Sequence, residues 1–163
     1  MSKTLENLKE AFAGESQANR KYLAFAHKAE QEKMPYAARI FRAAADAETI
    51  HAHAHLRAMK GIGTTEENLK EAISGEVFEF TEMYPGMIKD AAAEGEKSAE
   101  RSMDLANKAE QVHAEMFKKA LAEPGKEAPK VFVCQVCGHI AEDHAPDTCP
   151  ICGAKGHVYK EID

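Results

Sequence analysis

The chain has 163 residues, of which 44% are hydrophobic, and it carries a formal net charge of −6. This length suffices for one hydrophobic core with a small appendage, and the negative charge argues against nucleic acid as a partner. No apolar run approaches the roughly 18 residues of a membrane-spanning helix, and the N-terminus lacks the apolar core of a signal peptide. We therefore expect a cytoplasmic protein with no membrane partner.

The first 121 residues are rich in Ala, Glu, Lys and Leu, a composition that favours helix. They also contain a repeat, because residues 4–15 (TLENLKEAFAGE) resemble residues 65–76 (TEENLKEAISGE) at an offset of 61. A solenoid needs more copies than two. Two helical hairpins instead predict an all-α four-helix bundle.

Apolar residues at helical spacing predict four helices. The first, second and fourth span about residues 4–32, 36–60 and 97–121, and the third lies between Thr64 and a turn at residues 94–96. Thr64 and Glu67 form a capping box at the start of the third helix. Pro85 and Gly86 are expected to kink that helix.

Each predicted helix places metal-binding residue types on its inward-facing stripe. These are a single glutamate on the first and third helices and a Glu-x-x-His pair on the second and fourth: Glu15, Glu76, Glu48/His51 and Glu110/His113. Residues three apart share a helix face, and an unpaired carboxylate on an apolar stripe costs several kcal/mol. This is the ligand set of di-iron and di-manganese carboxylate bundles. Mainly oxygen ligands favour iron or manganese over zinc.

Alternatives exist for single motifs in this set. One Glu-x-x-His on a charged helix is commonly a surface feature, whereas two copies in register with two stripe-breaking glutamates favour a dinuclear site. Glu79, three residues after Glu76, is either a further ligand or a solvated charge. His51 and His55 are also spaced for zinc, although we expect His55 to face inward without ligating. Tyr22 either hydrogen-bonds a ligand carboxylate or is an ordinary core tyrosine.

The predicted domains are residues 1–122 (bundle), 123–130 (linker) and 131–163 (a small β-rich domain). All four cysteines lie in the last, as two Cys-x-x-Cys pairs that would form one four-cysteine site: Cys134, Cys137, Cys149 and Cys152. In a reducing compartment such pairs bind metal rather than form disulfides. Four thiolates do not distinguish zinc from iron. A zinc ribbon is the commoner use, but a redox-capable bundle beside it favours iron, and the metal must help this tail to fold.

Together these motifs resemble the rubrerythrin family, a ferritin-like di-iron bundle followed by a rubredoxin-like domain. The resemblance covers essentially the whole chain. It is carried by residues 14–16 (GES), 48–51 (ETIH), 75–85 (GEVFEFTEMYP) and 110–113 (EQVH) and by both cysteine pairs. It implies two irons in the bundle and one at the four-cysteine site, with zinc as a substitute at either. It also implies reduction of hydrogen peroxide to water in protection against oxidative stress, the iron of the four-cysteine site passing electrons to the di-iron site.

The resemblance further implies that Glu79 is a ligand, which the iron exchanges for His51 with redox state. Tyr22 and Tyr84 match family tyrosines near the metals. Because the chain has no Gly-x-Gly-x-x-Gly nucleotide motif, electrons are expected from a donor protein, such as a rubredoxin or an NAD(P)H-dependent reductase. Two other functions are considered, a ferritin-like ferroxidase or iron-binding protein and a non-enzymatic electron carrier.

The connection between the second and third helices is short for a ferritin-like bundle, in which these helices run parallel. The chain would have to return about 33 Å, whereas Gly61 to Thr65 spans at most roughly 17 Å. We therefore predict a domain-swapped homodimer, in which the first two helices of one chain bundle with the last two of the other. An up-down-up-down monomer is the alternative, which the repeat and the family disfavour.

Overall fold

The computed structural model describes residues 2–163. They form two compact units, one ending at Gly63 and one running from Thr64 to Asp163. The first unit contains helices α1 (Lys3–Gln31) and α2 (Pro35–Ala58). The second contains α3 (Thr65–Phe78), a π-helical segment (Glu79–Met83), α4 (Tyr84–Glu94), α5 (Lys97–Ala122) and a small sheet. Because α3, the π-helical segment and α4 follow one another without a break, they form the third of four helical segments. The predicted fold class, four helices followed by a small β-rich domain, is confirmed.

The α1–α2 hairpin packs through small side chains. Its fully buried residues are all alanines, each at most 6% exposed: Ala26, Ala29, Ala38, Ala45 and Ala52. Asn19 also links the two helices, because its side-chain amide lies 2.7 Å from the carbonyl oxygen of Ala45 and 2.8 Å from the hydroxyl of Thr49. This link fixes the register of α1 against α2 next to Glu15 and Glu48.

The third predicted helix contains a π-helical turn just before Pro85 and Gly86, the residues at which a kink is expected. The backbone N–H of Tyr84 donates to the carbonyl of Glu79, five residues earlier, so the turn holds one more residue than an α-turn. Pro85 follows in the first turn of α4, where its missing N–H is not required. The repeat offset changes by one residue across this region, from 61 at Glu76 to 62 at Glu110.

The small domain has three antiparallel strands in the order β2-β1-β3. These are β1 (Val131–Cys134), β2 (Ile140–Glu142) and β3 (Tyr159–Ile162), with a 3₁₀ turn at Gly156–Val158. Cys134 and Cys149 are 1% and 2% exposed and are the largest fully buried side chains in residues 2–163. Because the most buried side chains of this small domain are two thiols, we expect a bound metal to contribute to its folding energy.

No helix within residues 2–163 is long and apolar enough to cross a membrane.

Candidate metal centres

The first unit brings together one glutamate of α1 and the Glu-x-x-His pair of α2. Ligand atoms of Glu15, Glu48 and His51 all lie within 4.8 Å of one another. The Nδ1 atom of His51 is 2.8 Å from the carboxylate of Glu48 and 3.9 Å from that of Glu15. A hydrogen bond with His51 lowers the pKa of Glu48, which keeps that carboxylate charged.

The second unit repeats this arrangement with nearly the same distances. Ligand atoms of Glu76, Glu110 and His113 also lie within 4.8 Å of one another. The Nδ1 atom of His113 is 2.6 Å from the carboxylate of Glu110 and 3.7 Å from that of Glu76. Each unit thus carries three of the metal-binding residues predicted from the repeat.

The second cluster has the features of a cation site. The Nε2 atom of His113 lies 2.9 Å from the carbonyl oxygen of Gly138, so it must carry the hydrogen, and the lone pair of a neutral imidazole is then on Nδ1. That lone pair faces a carboxylate oxygen of Glu110. In addition, Oε2 of Glu76 is buried without a hydrogen-bond partner. Burial, then a hydrogen bond with Glu110 and the charge of that residue, raises the pKa of Glu76. A divalent cation between these atoms would satisfy all of them.

Glu79 and Tyr84 lie beside the second cluster but are not part of the three-residue group. Burial, then Glu76, raises the pKa of Glu79. Burial, then the carboxylates of Glu110, Glu79 and Glu76, raises the pKa of Tyr84. Glu79 begins the π-helical turn and Tyr84 directly follows it, and the structure thus places a further carboxylate and a phenol near Glu76. Their roles as ligand and as hydrogen-bonding neighbour stay predictions.

Tyr22 and His55 occupy the first unit. Tyr22 packs in an aromatic cluster, with ring centroids 6.4 Å from Phe25 and 6.2 Å from Phe41. His55 is partly buried, and its role as an inward-facing histidine that does not ligate stays a prediction.

The four cysteines of the small domain form a third cluster. Their sulfur atoms lie within 4.8 Å of one another, with 3.8 Å between Cys134 and Cys152 and 3.5 Å between Cys137 and Cys149. A tetrahedral site with metal–sulfur bonds of about 2.3 Å requires sulfur separations of about 3.8 Å. All four thiols are free of disulfides, and their geometry therefore fits one tetrahedral metal ion.

Hydrogen bonds around the sulfurs lower the pKa of one of these thiols, Cys149. Burial raises the pKa of Cys149, but bonds from the backbone N–H of Cys152 and from the Tyr159 hydroxyl outweigh it and bring the pKa down to about 6. Tyr159 in turn pairs with Nδ1 of His139 at 2.8 Å. A thiolate is the form that binds metal.

The small domain contacts α5 beside the second glutamate–histidine cluster. The carbonyl of Gly138, which follows Cys137, accepts the hydrogen bond from His113. Lys119 of α5 forms an ion pair with Glu142 of β2. One imidazole therefore joins the carboxylate cluster to the loop that carries a cysteine ligand. Sequence patterns could not reveal this contact, because its acceptor is a backbone carbonyl.

Two carboxylate–histidine clusters on paired helices, followed by a sheet domain with a four-cysteine site, define a ferritin-like metalloprotein with an attached rubredoxin-like domain. The family model described as Rubrerythrin matches residues 6–121, and that described as Rubrerythrin, rubredoxin-like domain matches residues 132–160. The chain belongs to the rubrerythrin family, and the predicted resemblance is confirmed.

Individual relatives agree over nearly the full length. Rubrerythrin-2 of Clostridium acetobutylicum is 36% identical, with 93% of this chain and 92% of the relative covered. Nigerythrin of Nitratidesulfovibrio vulgaris is 35% identical, with coverage of 91% and 81%. The solved structure titled fully reduced state of nigerythrin (all ferrous) matches with a TM-score of 0.60 and 32% identity, covering 99% of this chain and 88% of that one.

The cofactors predicted for the chain are confirmed at the level of the family. Rubrerythrins hold two irons in the bundle and one at the four-cysteine site, and the carboxylate–histidine and cysteine clusters of this chain fit those groups.

Proposed function

We propose that the chain is a non-haem di-iron peroxidase that reduces hydrogen peroxide to two waters and protects the cell from oxidative stress. The reaction consumes two electrons and two protons. When bound, the bundle irons supply two electrons together and the iron of the four-cysteine site supplies them singly. The hydrogen bond from His113 to Gly138 carries the proposal, because a single side chain joins a carboxylate–histidine cluster to the loop of the four-cysteine site.

The residues around the second cluster bind and orient. Glu76 and Glu110 contribute carboxylates, while the bond to Gly138 holds the ring of His113 so that Nδ1 faces them. Tyr84 keeps its hydroxyl proton, because burial and the nearby carboxylates raise its pKa. This hydroxyl is thus a hydrogen-bond donor for a substrate oxygen at the cluster.

The two histidines differ in how firmly they are held, which supports an exchange of His51 for Glu79. His113 is 18% exposed, its Nε2 donates to the carbonyl of Gly138, and its Nδ1 lies 2.6 Å from the carboxylate of Glu110. His51 is 55% exposed, and within residues 2–163 its hydrogen bond runs from Nδ1 to Glu48. A ring held at one nitrogen can swing away at lower cost. We therefore assign His51 and Glu79 as alternative ligands, and Glu15, Glu48, Glu76, Glu110 and His113 as permanent ones.

Electrons enter through the four-cysteine site from a donor protein, a rubredoxin or an NAD(P)H-dependent reductase. We expect the protein to act in the cytoplasm, where four cysteines stay reduced. Replacing one ligand in each site separates the two roles. Cys134→Ser should stop steady-state turnover with a donor protein but leave single-turnover oxidation of the chemically reduced bundle site. Glu48→Ala should abolish both. Loss of the single turnover in Cys134→Ser would show that the division of roles is wrong.

We further propose that the bundle site is assembled from two chains. Backbone bonds tie Met59, Lys60 and Gly61 to the end of α2, which leaves residues 62–64 to span roughly 14 Å. From Glu48 to the end of α2 is about 15 Å, and from the start of α3 to Glu76 is about 16 Å. To place Glu76 level with Glu48 on parallel helices, a single chain would have to return about 30 Å. This distance exceeds the roughly 14 Å that the connection can span.

The exposure of large apolar side chains also supports a dimer. Phe25 is 47% exposed, Ile40 50%, Ile50 65% and Phe78 57%. Apolar surface of this kind on paired helices is normally covered by further helices. A second chain would supply those helices. The first cluster of one chain and the second cluster of the other would then form one complete site.

Complementation tests the swap. A Glu48→Ala chain has an intact second cluster, and a Glu110→Ala chain has an intact first cluster, so neither homodimer has a complete site. In a swapped heterodimer one of two sites is intact, and co-refolding equal amounts should restore about a quarter of the wild-type sites. If co-refolded protein binds no more bundle iron than the separate variants, the site lies within one chain.

A further inference from the structure

The two cysteine loops of the small domain have the same local structure. The first knuckle is residues 134–138 (CQVCG) and the second knuckle is residues 149–153 (CPICG). Each ends in a left-handed glycine, with φ of 79° at Gly138 and 75° at Gly153. The N–H of that glycine donates to the carbonyl of the first cysteine, at 2.9 Å in the first knuckle and 3.0 Å in the second. A difference between them therefore arises from their surroundings.

Helix α5 lies against the first knuckle. The carbonyl of Gly138 accepts the hydrogen bond from His113, and a Cβ added at Gly138 would lie 4.0 Å from the Cβ of Ala109. A Cβ added at Gly153 would meet no atom within 4 Å. Pro150 is exposed and Cys152 is partly exposed. Because Gln135 and Val136 of the first knuckle are also exposed, the two knuckles differ at their glycines, where Gly138 contacts α5 and Gly153 has open space beside it.

The exposed second knuckle is uncharged. Pro150, Ile151 and Gly153 are apolar or lack a side chain, and the exposed charges on either side, Asp147 and Lys155, have opposite sign. The chain as a whole carries a net charge of −6. A partner that approaches here therefore meets a small neutral surface, and its binding should depend weakly on salt.

We propose that the second knuckle is the docking surface for the electron donor, a one-electron carrier protein with an uncharged, apolar rim around its own redox centre. The proposal rests on the function proposed above. Each transfer oxidises the carrier by one electron and reduces the four-cysteine site by one, and no bond is made or broken. Because the first knuckle is engaged with α5, a donor on the second knuckle can deliver an electron while the contact through His113 stays in place.

Matched substitutions in the two knuckles test this assignment, because Ile151 and Val136 occupy the same position in each. Val136 is 54% exposed and is the competing point of entry. Ile151→Glu and Val136→Glu add the same charge at the same distance from a cysteine. Iron content and the visible spectrum of the four-cysteine site identify variants that keep the metal. If Ile151→Glu does not keep it, Pro150→Glu takes its place.

Two readouts use a reduced rubredoxin as the donor probe. Titration of the zinc-loaded, ¹⁵N-labelled chain with zinc-loaded rubredoxin measures binding without any reaction. Stopped-flow mixing of the iron-loaded chain with reduced rubredoxin measures the second-order rate constant. We expect Ile151→Glu to lower the binding affinity and the rate constant by about tenfold or more. Val136→Glu should change each of them by less than about twofold. Resonances of the second knuckle should shift on titration.

The opposite pattern would overturn the inference, as would equal effects of the two substitutions or shifts confined to the first knuckle. Failure of the proposed function looks different. In that case the chemically reduced wild-type protein does not react with peroxide, whereas the knuckle data keep the pattern described above.

Discussion

Replacing Glu76 by glutamine should change the stability of the protein in opposite directions with and without bound metal. In the metal-free protein its carboxylate is 21% exposed, has a buried oxygen without a hydrogen-bond partner and faces the carboxylate of Glu110. Glu76→Gln removes the charge at constant volume and supplies an amide N–H for Glu110. We expect the substitution to stabilise the metal-free protein and to destabilise the metal-loaded one, because it removes an anionic ligand.

The size of the effect follows from the burial. An unsatisfied buried polar group costs about 1–3 kcal/mol, and the remaining exposure of Glu76 places its cost at about 1–2 kcal/mol. For a chain of this length each kcal/mol shifts the melting temperature by about 2–4 °C. Glu76→Gln should therefore raise the Tm of the metal-free protein by about 2–8 °C.

Calorimetry with and without ferrous ion under anaerobic conditions measures both effects. Glu71→Gln is the matched control, since Glu71 is an exposed glutamate of the same helix, and it should change stability by less than about 0.5 kcal/mol in either state. A lower Tm for metal-free Glu76→Gln, or equal stabilisation of both proteins by iron, would refute this account of Glu76.

Three further predictions concern other contacts. Thr64→Ala should lower stability by about 1 kcal/mol in urea melts. Hydrogen bonds from the backbone and hydroxyl of Thr64 lower the pKa of Glu67 from 4.5. The stability that this carboxylate contributes is therefore complete above pH 4.5 and is lost as the pH falls through the lowered pKa. Asn19→Ala removes both hydrogen bonds to α2 and should cost about 1–2 kcal/mol in thermal melts, whereas no loss would show that alanine packing alone fixes the hairpin. Lys119→Glu should slow electron transfer from the four-cysteine site to the bundle by no more than about fivefold, because an exposed pair contributes at most about 1 kcal/mol. The double variant Lys119→Glu/Glu142→Lys should recover the rate in stopped-flow measurements.

Residue spacing sufficed for the features that depend on local periodicity. The Glu-x-x-His pairs predicted that Glu48/His51 and Glu110/His113 share a helix face, and the structure brings each pair together with a glutamate of the neighbouring helix. The capping box at Thr64 is confirmed because its bonds span only three residues. The Cys-x-x-Cys spacing likewise predicted one four-sulfur cluster.

Other features depend on contacts that spacing does not encode. The π-helical turn before Tyr84 was not predicted, because the helix accommodates an extra residue there by widening. The bond from His113 to Gly138 depends on how the small domain packs against α5, and its acceptor has no side chain. The same holds for Asn19, whose acceptors belong to another helix. These contacts make the two histidine clusters unequal, although the repeat presents them as equivalent.

Anaerobic mixing of the fully reduced, iron-loaded protein with hydrogen peroxide tests the central claim most directly. The account predicts that one peroxide removes two electrons from the bundle site within the first phase, that water is the product, and that the four-cysteine site is oxidised afterwards. A bundle site that stays reduced, or oxidation that releases hydroxyl radicals in proportion to the peroxide added, would contradict it.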